Sequence, residues 1–150
     1  MKLDESLLAF NGELKAIRKD GRNPHFNSVY VTLDAILDTV RPLLTKHGLY
    51  ITQDAEELKI TEEGRITAVK VTTSIRNKEG ETRTSAVWIP LNRVDPHGMG
   101  GAVTYGRRYS LSMLLAISAD EDEDGNVPGT KRAGAGIKLP PVKTLKPLGE

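Results

Sequence analysis

One run, GMGGAVTYGRRYSLSMLLAISADEDEDGN at residues 98–126, holds groups for two opposite chemistries. It carries adjacent arginines, Arg107 and Arg108, between Tyr105 and Tyr109, and it ends in five acids, Asp120 to Asp124. Acids at alternate positions with Gly125 next resemble the opening of a calcium loop. The ninth position is Pro128, however, and the twelfth, where a bidentate glutamate belongs, is Lys131. Metal-assisted hydrolysis needs carboxylates converging from separate elements onto ions about 4 Å apart, which five neighbours on one segment do not supply. Asp120, Asp122 and Asp124 therefore stand as weak metal candidates, and a solvated acidic end to a helix is the plainer reading. No cysteine is present, and His25, His47 and His97 lack metal-ligand spacing. GAGIK lacks the spacing and hydroxyl of a nucleotide P-loop, and no G-x-S-x-G elbow occurs.

The arginines offer anion binding. At 100° per residue, Thr104, Tyr105, Arg108 and Ser112 share one helical stripe, while Arg107 points toward Val103, Gly106 and Leu114. Arg108 is thus expected to reach a phosphate, and Arg107 to tie the helix to its surroundings. Gly98, Gly100 and Gly101 weaken the helix by about 1 kcal/mol each relative to alanine, so close approach by a backbone or a phosphate is expected there. A second cationic surface is expected upstream. Residues 65–77 and 82–91 alternate as a hairpin around NKEG. A symmetric turn would set Arg76 opposite Glu81 and Ser74 opposite Arg83. Lys70, Arg76 and Arg83 would then share one face, and Val69, Val71, Ile75 and Trp88 the other. If hairpin and helix adjoin, Lys70, Arg76, Arg83, Arg93 and Arg108 line one groove suited to a phosphate backbone. Lys19, Arg22 and Asn23 add phosphate contacts from a loop.

The elements that must position these groups are legible. LDESLLAFNGELKAIRKD has helical apolar spacing, with Asp4 as cap and Gly21 as stop. TLDAILDTVRPLLTKHG reads as a second helix, capped by Thr32, ended by Gly48, and kinked or broken at Pro42. Residues 49–54 and 58–62 read as short strands, and Asp95-Pro96 opens a last helix to about residue 117. The order predicts an α+β fold in which an antiparallel sheet, with its β-hairpin, packs against helices. Residues 1–126 form the expected core domain, and 127–150, rich in Pro, Gly and Lys, a disordered basic tail. The net charge of +1 hides a pattern: 16 bases and 14 acids over 1–119, five acids over 120–126, then five bases and one acid over 127–150. No apolar run approaches the roughly 18 residues of a membrane span, so a soluble protein with no membrane partner is expected.

KDGRNPHFNSVYVTLDAILDTVRPLLTKHGLYITQ (19–53) and GAVTYGRRYSLSMLLAISADEDEDGN (101–126) together resemble the ERF family of phage single-strand annealing proteins, a likeness covering roughly residues 10–126. The resemblance implies a recombination protein with a Rad52-like annealer core, not an enzyme, needing no nucleotide and no cofactor, with Mg²⁺ an open question. It implies rings or helical filaments of one chain in the cytoplasm of a bacterial host, with single-stranded DNA held along a basic groove. A single-strand-binding protein or an exonuclease are the protein partners it suggests. The tail here is short and featureless, which departs from that pattern. A divalent-metal nuclease using the acidic run, and a non-catalytic adaptor docking through the basic tail, remain the alternatives.

Overall fold

The computed structural model describes residues 1–24 and 28–119. His25, the acidic run and the tail lie outside the described residues. The first helix, α1, spans Leu3–Glu13 and starts one residue before the expected cap. Its first N–H, at Leu3, donates to Glu81 Oε2 across 2.6 Å, so the cap comes from the distant hairpin rather than from Asp4. Asp4 lies in the first turn, its carboxylate on Arg83 at 2.9 Å. The helix stops at Glu13, short of Gly21, although Leu14 and Ile17 still pack on the core. Gly21–Asn23 (β1) and Ser28–Tyr30 (β2) then pair as a small antiparallel ribbon where the sequence suggested only a loop.

The second helix, α2, spans Leu33–Lys46. Thr32 caps it as expected, its Oγ1 accepting from Ala35 N–H and donating to Asp20. Gly48, at φ 72°, follows its end. The helix runs through Pro42 without a break; Pro42 is exposed, so water can satisfy the carbonyl its ring leaves unpaired. The last helix, α3, spans Pro96–Leu114 with Asp95 Oδ1 accepting from Gly98 N–H. It ends earlier than residue 117, in a Schellman motif: Ile117 N–H reaches Ser112 O, Ala116 N–H reaches Met113 O, and Ala116 takes φ 53°.

Leu49–Ile60 (β3), Ile66–Asn77 (β4) and Thr82–Pro90 (β5) form an antiparallel sheet in the order β3-β4-β5. The two short strands expected at 49–54 and 58–62 are one strand carrying a bulge at Glu56, between the pairs Ala55–Val71 and Glu57–Lys70. The expected hairpin register is off by one. Arg76 faces Thr82, Ser74 faces Thr84 and Thr72 faces Ala86. The cause is a three-residue loop, Lys78-Glu79-Gly80, with Gly80 at φ 88° and Asn77 closing on Glu81. A slip of one residue exchanges the faces of one strand. Arg83 therefore joins the face of Ile75, Trp88 joins that of Lys70, and Val87 and Ile89 pack beside Val71 and Val69.

All three helices cover one face of this sheet. Leu3, Leu7 and Phe10 from α1, Ile36, Val40 and Leu44 from α2, and Leu111 from α3 with Leu115 at its C-cap enclose Ile75 and Leu49 in the main core. A smaller cluster joins Val69 and Val71 to Ala102. Between the two, Gly106 lets α3 lie directly on the sheet: a β-carbon there would stand 2.6 Å from Val71 Cβ. The other face, with Tyr50, Arg76 and Trp88 exposed, carries no helix among the described residues.

Candidate nucleic-acid interface

This layering decides where the cations go. Lys70 and Arg76 lie on the open face, opposite to α3, so within one protomer they do not share a groove with Arg107 and Arg108. The open face is not uniformly cationic either. Lys70 donates to Glu57 Oε1 at 2.9 Å, and that bond raises its pKa. Asp54 shares the face through its pairing with Thr72, whose hydroxyl donates to Glu56, and Lys59 Nζ sits 4.6 Å over the Trp88 ring. Arg83, on the helix face at the end of the sheet, is held by Asp4. Arg93, in the connection before α3, pairs with Asp95 at 2.7 Å. The single trough expected from hairpin and helix is replaced by two surfaces.

On α3, Arg108 is 7% exposed, and its guanidinium lies 4.6 Å from the Tyr30 ring, 5.1 Å from Tyr109 and 5.3 Å from Tyr105. The planar cation stacks where a lysine ammonium would not. Tyr105 and Tyr109 are themselves stacked at 6.1 Å, as their i, i+4 spacing predicts. Arg108 thus joins the helix to the β1–β2 ribbon rather than standing in solvent. Arg22 is exposed on that ribbon, with Lys19 just before it half-buried and Asn23 beside it half-buried. Thr104 is exposed and donates back to the Gly100 carbonyl. Of the glycines, Gly98 packs against the Arg93 backbone, while Gly100 and Gly101 face open space. Gly98 thus has the close backbone approach expected of it, and Gly106, which sequence reasoning passed over, lies close on Val71 of the central strand.

Arg107 turns the other way, toward β3 and α2. Its Nε donates to Gln53 Oε1 at 2.9 Å, and Gln53 Nε2 donates to the Arg107 carbonyl at 3.0 Å and to Thr73 Oγ1 at 2.9 Å. Thr73 and Ser110 share a buried hydroxyl contact of 2.6 Å. Arg107 is therefore set by a polar network rooted in the interior. It lines a depression of about 250 Å³ together with Leu37, Arg41, Ile51 and Gln53. Arg41 is exposed, and the lining holds no acid. Sequence reasoning missed both Arg41 and Gln53. The signals were present: Arg41 follows Leu37 by one helical turn, and Gln53 follows Ile51 on an inward strand position where a polar side chain needs a reason.

Among the described residues, no group of three or more His, Asp or Glu side chains could hold a metal ion, and no helix is long and apolar enough to cross a membrane. Asp120, Asp122 and Asp124 lie outside them. What the described residues define is an α+β protein whose helix-bearing side presents fixed guanidiniums. Residues 3–138 match the family profile of the ERF superfamily, and the chain belongs to that superfamily. Neither a curated protein nor a solved structure matches it.

Proposed function

We propose that this chain binds single-stranded DNA and anneals complementary strands without ATP, in phage homologous recombination. The observation that carries the reading is the superfamily match across residues 3–138. The helix-side arginines are compatible with it. Guanidiniums neutralise phosphates, release counterions and lower the repulsion between two strands. A strand gripped by its backbone leaves its base edges free to test a partner, and pairing supplies the driving energy, about 1.4 kcal/mol per base-pair step. Backbone contacts carry no base code, so sequence preference is weak. In this reading the protein holds and aligns strands without covalent chemistry and needs no cofactor. We propose further that the working form is a ring or helical filament of identical chains, in which the helix-side arginines of successive protomers would follow one strand. Exchange with a single-strand-binding protein or an exonuclease belongs to the same proposal.

The test is annealing of complementary oligonucleotides without nucleotide, beside a mass measurement of the assembly. Acceleration over the spontaneous rate at low salt by an oligomer is expected; a rate equal to the spontaneous one refutes the proposal. Strand cleavage in Mg²⁺ that disappears when Asp120, Asp122 and Asp124 become Asn would establish a nuclease instead. Loss of all partner binding on deletion of residues 127–150, with no DNA binding by the rest, would establish an adaptor.

A further inference from the structure

Arg41 and Arg107 come from different helices, and they line one depression with no carboxylate in its wall. Neither makes an ion pair among the described residues, whereas Lys70 pairs with Glu57, Arg83 with Asp4 and Arg93 with Asp95. Two like charges facing a shared hollow repel each other, and an anion between them removes that repulsion. The arrangement is also fixed in advance. Arg107 spends its Nε on Gln53, which leaves both terminal nitrogens of the guanidinium for a ligand. Gln53 is itself held from two further directions, by Thr73 and the Arg107 carbonyl. A guanidinium immobilised before binding loses little entropy on binding, and its planar fork matches a phosphate.

We propose that the α2–α3 depression is a backbone clamp for single-stranded DNA, in which Arg41 and Arg107 grip a phosphate and Gln53 is the positioning residue that aims Arg107. The inference rests on the annealing reading and adds the site. It assigns the two neighbouring arginines of α3 separate work, with Arg107 on the nucleic acid and Arg108 in the tyrosine stack. It also brings in α2, which no motif in the chain marks as a binding element.

The experiment is salt-dependent binding of a fluorescent oligothymidylate to the full chain. Each phosphate contact contributes about 0.7 to the slope of log affinity against log salt for a single strand. Arg41→Ala is expected to lower the slope by about 0.7 per protomer engaged and to weaken binding about tenfold at low salt. Its thermal melting should be unchanged, because Arg41 is exposed and makes no internal bond among the described residues. Gln53→Met keeps the bulk and loses the aim, so it should weaken binding in the wild-type background and add nothing in an Arg107→Ala background. Equal losses in both backgrounds would show a merely structural glutamine and overturn its assigned role. Full slope and affinity in Arg41→Ala, with the wild type still annealing, overturns the clamp alone. A wild type that binds no oligothymidylate overturns clamp and annealing together.

Discussion

Gly106 and Gly101 occupy the same helix five residues apart, and the same substitution should move stability in opposite directions at the two. At Gly106 a new methyl would stand 2.6 Å from Val71 Cβ and 3.3 Å from Ile89 Cγ1. Val71 is fully buried on the central strand and cannot retreat. Restoring an ordinary carbon–carbon distance means lifting α3 by about 1 Å. Overpacking of this kind costs about 1–3 kcal/mol, and loosening the Thr73–Ser110 contact adds about 1. The better helix propensity of alanine returns about 1. Gly106→Ala should therefore destabilise by about 2 kcal/mol. At Gly101 nothing lies within 4 Å, so only the propensity gain of about 1 kcal/mol remains. A difference of about 3 kcal/mol corresponds to roughly 10 °C between the two melting temperatures at this chain size. Calorimetry at one protein concentration measures it, since assembly makes melting concentration-dependent. If Gly106→Ala melts as high as Gly101→Ala, α3 does not lie on Val71 and the packing argument is wrong.

Arg108→Ala should destabilise by about 2 kcal/mol in urea titration and shift the tyrosine near-ultraviolet dichroism, and Arg108→Lys should recover little of it; full recovery by lysine would show that charge alone suffices. Ala116→Gly should stabilise by about 1 kcal/mol, because the left-handed φ of 53° disfavours a β-carbon; a loss of melting temperature would contradict the motif. Glu81 has its carboxyl pKa lowered, first by the Leu3 N–H and then by Asn77. A depressed carboxylate contributes stability above its unfolded value, near pH 4.5, and loses it as pH falls through the lower folded value. The melting advantage of wild type over Glu81→Gln should therefore be constant at neutral pH and vanish below that window; an advantage unchanged in acid would refute the assignment.

What could be read without coordinates was what neighbours along the chain decide. The Thr32 cap, the Gly48 stop and the Asp95-Pro96 start all depend on residues within four positions. The hairpin failed at one count. Gly80 before Glu81 already marks the left-handed position of a three-residue loop, and reading NKEG as symmetric put Arg83 and Trp88 on the wrong faces. The groove failed for a further reason: which sheet face α3 covers depends on Gly106 meeting Val71, a contact between residues 35 apart in the chain. Arg107 and Arg108 were expected to differ, but with Arg108 reaching a phosphate and Arg107 tying the helix down. Instead Arg108 is buried among tyrosines and Arg107 lines the depression. Their surroundings, Gln53 for one and Tyr30 for the other, come from elements no local pattern connects to α3.

The clasp between Leu3 and Glu81 sets an order of events during synthesis. An eleven-residue helix is marginal alone, and here the group that receives its leading amide is encoded 78 residues downstream. At about 5–20 residues per second, the ribosome takes several seconds or more to deliver it. The α1 segment of the nascent chain thus lacks both its capping carboxylate and the sheet its leucines and phenylalanine pack on until the hairpin tip has emerged.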